Sequence, residues 1–97
     1  MLTSKQRSNL KSIAANLQPI SQLGKGGVGE NMVKSLSDAL EAHELIKINV
    51  LANAADDAKE LGALLAEKLN ADCVAVIGHK IILYRRSSRK DFDHIVF

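Results

Sequence analysis

The residues best equipped to meet a ligand are Gly24-Lys25-Gly26-Gly27-Val28-Gly29. Four glycines in six positions let the backbone adopt positive φ and let a second molecule approach the main chain closely. An apolar stretch precedes them and reads as a strand; Glu30 to His43 follows and reads as a helix. A helix N-terminus presents unpaired N–H groups and the positive end of its dipole, which together suit an anion, most often a phosphate.

Three readings of that loop compete. Literally it satisfies G-x-G-x-x-G after a strand and before a helix, the dinucleotide-binding fingerprint. That reading also needs an acid at the end of the second strand to grip the ribose. Glu44 has the spacing but opens that strand, whose end, Val50-Leu51-Ala52-Asn53, carries no acid. An ATP or GTP loop fails sooner, because no Gly-Lys-Ser/Thr closes it. The second reading takes Gly24-Lys25-Gly26-Gly27 as a G-x-x-G clamp on a nucleic-acid backbone, with Lys25 as a mobile cation at its tip. The third is a plain strand-to-helix turn.

Charge placement fits a polyanion partner and ordinary solvated faces equally well. The net charge of +2 hides two basic ends, one with Lys5, Arg7, Lys11 and Lys25, the other with Lys80, Arg85, Arg86, Arg89 and Lys90. Most acids lie in the middle, and local field rather than the sum governs attraction. Arg85-Arg86, closing the last strand, is the expected second contact, provided the two basic ends lie beside the loop. His79, at a hairpin tip next to Lys80, is equally a nucleic-acid contact or an exposed turn residue. His43 reads as a helix-end cap or packing residue and Cys73 as a small core residue. His43, His79 and His94 are too scattered for a catalytic set or a metal site, and no cofactor is implied. The aromatics are Tyr84, Phe92 and Phe97, too few for a base-stacking platform. On the nucleic-acid reading, recognition should therefore rest on phosphates and backbone shape.

These residues must be positioned by one domain, since 97 residues supply a single core. Thr3 and Gln6 form a capping box before a helix with Leu10, Ile13, Ala14 and Leu17 inward and Lys5, Arg7 and Lys11 on the polar remainder. Ile20 to Leu23 is a short strand. Met32, Leu36, Ala39, Leu40 and His43 face inward on the second helix. Ile46, Ile48 and Val50 alternate with Lys47 and Asn49, predicting a strand with one covered and one wetter face. Asp56 and Asp57 open a third helix with Ala58, Leu61, Leu64, Leu65 and Leu69 inward and Asn70 as its stop. Cys73–Ile77 and Lys80–Arg85 flank Gly78-His79 as a hairpin. The order α-β-α-β-α-β-β predicts an α/β domain with a four-stranded mixed sheet, parallel neighbours across each crossover and an antiparallel closing pair. From Arg86 the chain turns polar, and Phe92, Ile95, Val96 and Phe97 promise weak anchoring for a tail over 87–97. A single cysteine and no long apolar run point to a cytoplasmic chain without membrane contact.

The sequence resembles the bacterial YhbY-like proteins, stand-alone members of the CRM (chloroplast RNA splicing and ribosome maturation) domain family. The resemblance is carried by Leu2-Thr3-Ser4-Lys5-Gln6-Arg7, Leu10-Lys11, Leu23-Gly24-Lys25-Gly26-Gly27, His43-Glu44-Leu45-Ile46-Lys47-Ile48, Val76-Ile77-Gly78-His79-Lys80-Ile81 and Leu83-Tyr84-Arg85. It implies a fold like the C-terminal domain of a translation initiation factor, and RNA binding with G-x-x-G as a contact. It further implies association with precursors of the large ribosomal subunit. The expectation is a non-enzymatic, monomeric RNA-binding domain over 1–97, with Gly24, Lys25, Gly26, Gly27, Lys5, Arg7, Lys11, Lys80, Arg85 and Arg86 as contacts. A protein-docking module using the wetter sheet face is the alternative, and a dinucleotide binder the third.

Overall fold

A computed structural model describes residues 2–54 and 56–97. The order is α1 (Ser4–Ala14), β1 (Ser21–Leu23), α2 (Glu30–His43), β2 (Leu45–Val50), α3 (Ala58–Leu69), β3 (Asp72–Ile77) and β4 (Lys80–Tyr84). The Thr3–Gln6 capping box starts α1, and the Asp57 carboxylate caps α3 by accepting the Glu60 N–H at 2.8 Å. Asn70 stops α3 in the left-handed region, φ 52°, a conformation its short polar side chain tolerates. Gly78 supplies the positive φ of the β3–β4 turn.

The four strands lie in the order β1-β2-β4-β3. β1 and β2 are parallel, and β4 is antiparallel to both β2 and β3. One expected neighbour pair is therefore corrected: β2 and β3 point the same way but β4 lies between them. The hairpin folds back into the gap that the α3 crossover leaves, so β4 gains ladder hydrogen bonds on both edges.

α2 and α3 cover one face. There Leu36, Leu40, Leu61, Leu65 and Leu69 close on Ile46, Ile48, Ile81 and Leu83. Each such buried side chain contributes about 1.5–3 kcal/mol over its exposed state. Leu64, expected inside, is 38% exposed. Gly62 is buried in the α3 stripe instead, because the helix packs too close for a side chain there. A Cβ at Gly62 would stand 3.1 Å from Cys73 Sγ and 3.3 Å from Val76 Cγ2. Overpacking of that kind costs about 1–3 kcal/mol and a helical Gly→Ala returns about 1. Gly62→Ala should therefore be neutral to mildly destabilising in a urea titration, and should become stabilising once Cys73→Ala removes the sulfur.

The second face is less bare than expected. Leu10 and Ala14 of α1 pack on Leu45, Val74, Ile82 and Tyr84, with Leu2, Ile95 and Phe97 at the margin. The tail is thus anchored rather than loose. Phe97 meets Tyr84 edge-on, centroids 4.9 Å apart, and the chain from Ser87 to Ile95 hangs on Glu44. This residue ends α2 at φ 65° and is fully buried. Its carboxylate accepts from Ser87 N–H at 2.7 Å, from Ile95 N–H at 2.8 Å and from His94 Nδ1 at 2.5 Å. Glu41 takes the Ser88 N–H at 3.0 Å and the Ser88 hydroxyl.

Candidate nucleic-acid interface

Three connections converge at one end of the sheet. The glycine loop leaves β1, residues 51–54 leave β2, and Gly78-His79 joins β3 to β4. Leu51 N–H donates to Leu23 O at 2.8 Å and Val50 N–H to His79 O at 2.7 Å, tying all three together. Gly24 to Gly27 form a tight turn in which Gly27 N–H donates to Gly24 O at 3.0 Å, with Gly27 at φ 67°. Gly24 is pressed against the neighbouring loop: a Cβ there would lie 3.1 Å from Asn53 Oδ1 and 3.2 Å from Leu51 Cδ1. Around Gly26, Gly27 and Gly29 an added Cβ meets nothing, so the outer backbone of the turn is bare. Gly29 gives α2 no side-chain cap, and the first-turn N–H groups of that helix are left to solvent or a ligand.

Lys25 is exposed at the turn. Lys80 opens β4 at the same sheet end, opposite Asn49, whose amide oxygen accepts from Lys80 Nζ at 3.0 Å. Strand alternation puts Lys80 on the α1 side, with Ile82 and Tyr84. On that side Ser4, Ser8 and Lys11 line a shallow groove of about 290 Å³ between α1 and β3, and Lys5 is exposed on the same helix. The loop, Lys80 and the α1 lysines are thus the predicted residues that share an end or a face.

Arg7 and Arg85 have inward uses. β3 is an edge strand with an irregular register between Cys73 and Ala75, and such an edge exposes unpaired carbonyls. Arg7 covers them, donating from one guanidinium nitrogen to Cys73 O at 2.5 Å and Val74 O at 3.2 Å. Burial pushes the Cys73 thiol up, only partly countered by Arg7. Arg85 bridges the two helices of the other face. It donates to Leu69 O at 2.8 Å, to Ser37 O at 2.9 Å and Oγ at 3.0 Å, and to Glu41 at 3.3 Å. Hydrogen bonds from the Ser88 hydroxyl and N–H outweigh burial and, with Arg85, hold the Glu41 carboxyl below its usual range. Arg85 and the exposed Arg86 follow the far end of β4, away from the glycine turn. The condition attached to Arg85-Arg86 as a second contact, that this basic end lie beside the loop, is therefore not met.

Sequence reasoning passed over a second depression beside the loop. Val28, Glu30, Val33, Lys34, Asp38 and Lys68 help line a groove of about 530 Å³ between α2 and α3. Its signal was present in part: Glu30, Lys34 and Asp38 recur every fourth residue, hence on one helix edge. Nothing in the sequence brings Lys68 opposite them.

Residues 2–85 match the CRS1/YhbY (CRM) domain. The chain belongs to the CRM domain family. It is 46% identical to the Probable RNA-binding protein YqeI of Bacillus subtilis, over 90% of this chain and 91% of that one. An RNA-binding protein of Haemophilus influenzae is 40% identical over 89% of this chain and 87% of its own. In CRS2-associated factor 1 of Arabidopsis thaliana chloroplasts, at 30% identity, the match takes in 87% of this chain but 12% of that larger protein. The solution structure of hypothetical protein SAV1595 from Staphylococcus aureus superposes with a TM-score of 0.78, at 48% identity and covering 96% of each chain. This CRM domain accordingly has the expected α/β architecture of three helices and a four-stranded mixed sheet. Its Glu44, the one acid at dinucleotide spacing, is buried and occupied by the tail, which leaves that reading without a ribose partner.

Proposed function

We propose that this chain is a non-enzymatic RNA-binding domain. The RNA backbone lies on the Gly24–Gly27 turn, Lys25 and Lys80 take adjacent phosphates, and Lys5 and Lys11 extend the positive face along α1. The observation that carries this is the bare outer backbone of the turn above a helix with no side-chain cap. Four relatives bear RNA-binding names, which supports the same ligand. The sparse aromatics make phosphate contact the main source of affinity.

The RNA we assign is ribosomal, in precursors of the large subunit, with the protein acting as a monomer in the cytoplasm. Support for that assignment is the resemblance to YhbY-like proteins. Fluorescence anisotropy with a structured ribosomal RNA fragment tests the binding. Four lysine–phosphate contacts predict a slope of log K against log[salt] near about −3 by the single-strand coefficient. Affinity indifferent to salt would overturn the reading. Crosslinking in cells followed by sequencing tests the assignment: large-subunit ribosomal RNA should dominate, and reads spread evenly over messenger RNA would sink it.

A further inference from the structure

The α2–α3 groove begins where the glycine turn ends. Val28 and Gly29, the residues that follow the turn, are among those that line it, so a strand clamped on the turn needs no detour to enter. Its volume, about 530 Å³, falls within the ~300–1,000 Å³ typical of sites that enclose a small ligand. Val28 and Val33 are half-buried and give it an apolar floor, while Glu30, Lys34, Asp38 and Lys68 stand exposed around the rim. The ion pairs among the described residues are Arg85–Glu41 and His94–Glu44, so these four rim charges are uncommitted. The walls are also braced. Arg85 ties Ser37 of α2 to Leu69 of α3, which fixes the groove's width before any ligand arrives and lowers the ordering cost of binding.

We propose that this groove seats one unpaired nucleotide of the RNA strand leaving the glycine turn, with a preference for bases that carry an exocyclic amino group. The proposal rests on the RNA-binding reading and extends it from backbone contact to base choice. The apolar floor takes the face of the base. Lys34 and Lys68 take its flanking phosphates. Glu30 and Asp38 repel phosphate but accept N–H donors, and among RNA bases cytosine, adenine and guanine offer an exocyclic amino group where uracil offers a carbonyl. Carboxylate acceptance from such a group is an established mode of base readout.

Amide-resolved NMR titration with the hexanucleotides C6, A6 and U6 tests it. C6 should shift the amides of Val28, Gly29, Val33 and Lys68 together with those of the turn, and C6 and A6 should bind at least about threefold tighter than U6. Glu30→Gln with Asp38→Asn should abolish that difference and leave U6 binding no weaker. Lys34→Glu with Lys68→Glu, both exposed positions, should weaken every hexamer about tenfold while amide dispersion is preserved. Shifts confined to the turn and α1, or equal affinity for U6 and C6, would overturn the groove. If neither the hexamers nor ribosomal RNA moved any amide, the RNA-binding reading itself would fall.

Discussion

Lys25→Glu combined with Gly26→Asp should lower affinity for structured ribosomal RNA by at least about tenfold, near 1.4 kcal/mol, and leave thermal stability almost unchanged. Both positions lie exposed on the turn, and a Cβ at Gly26 meets nothing within 4 Å. Surface changes of this kind usually move stability by less than about 0.5 kcal/mol. The electrostatic change is large by comparison. A cation becomes an anion at the tip, and a second anion appears where a phosphate would sit. The neighbouring glycines should respond differently. Gly27→Ala places a side chain at φ 67°, which costs roughly 1–2 kcal/mol, and Gly24→Ala drives a methyl into Asn53 and Leu51. Those two should lose stability as well as binding. Anisotropy paired with differential scanning calorimetry on all three separates ligand contact from turn geometry. Unchanged affinity in the Lys25–Gly26 double variant would remove the turn from the interface.

Local features were legible because local rules produce them. The bounds of α2 follow from the glycines before it and the strand pattern after it. The alternation of Ile46, Ile48 and Val50 with Lys47 and Asn49 is the pleat itself. Asn70 and Gly78 announce positive φ by residue type. The β4 insertion was not legible, since a hairpin signal says which strands pair with each other and not which edge of the sheet receives them.

Charged residues were the least readable. Arg7 and Lys11 look alike on a helical wheel, yet Arg7 reaches carbonyls 66 and 67 residues away, while Lys11 lines an open groove. Arg85 is set by partners contributed by two other helices. A guanidinium can cap carbonyls or meet phosphate with the same atoms, so only tertiary placement decides between them. The anchoring of the tail was illegible for a related reason. Its apolar residues are few, and its main anchor is a carboxylate in another part of the chain.

That anchor gives the second large effect. Glu44→Ala should destabilise the fold by about 3 kcal/mol, because it takes a buried acceptor from two backbone N–H donors and a ring nitrogen, and each buried donor left unsatisfied costs about 1–3 kcal/mol. In a chain of 97 residues this corresponds to a fall in Tm of roughly 12–24 °C. The substitution strands Ser87 N–H, Ile95 N–H and His94, which Glu44 now satisfies. Glu44→Gln is the sharper probe. It keeps the shape but turns one acceptor oxygen into a donor facing donors, so it should recover little. Glu44→Gly relieves the strained φ of 65° yet lacks the carboxylate, and should fall near alanine. Burial raises the Glu44 pKa, but hydrogen bonds from His94 and the Ile95 and Ser87 N–H groups, with the His94 charge, outweigh it and hold the carboxyl below its usual range. A carboxyl lowered in the folded state contributes stability that is present above the unfolded carboxyl pKa and lost as pH falls through the folded one. Wild type should therefore lose tail protection in hydrogen exchange on acidification below that unfolded value, whereas Glu44→Gln should show weak protection of residues 87–95 throughout. Equal protection in the two proteins at neutral pH would mean that Phe97 on Tyr84, and not Glu44, holds the tail.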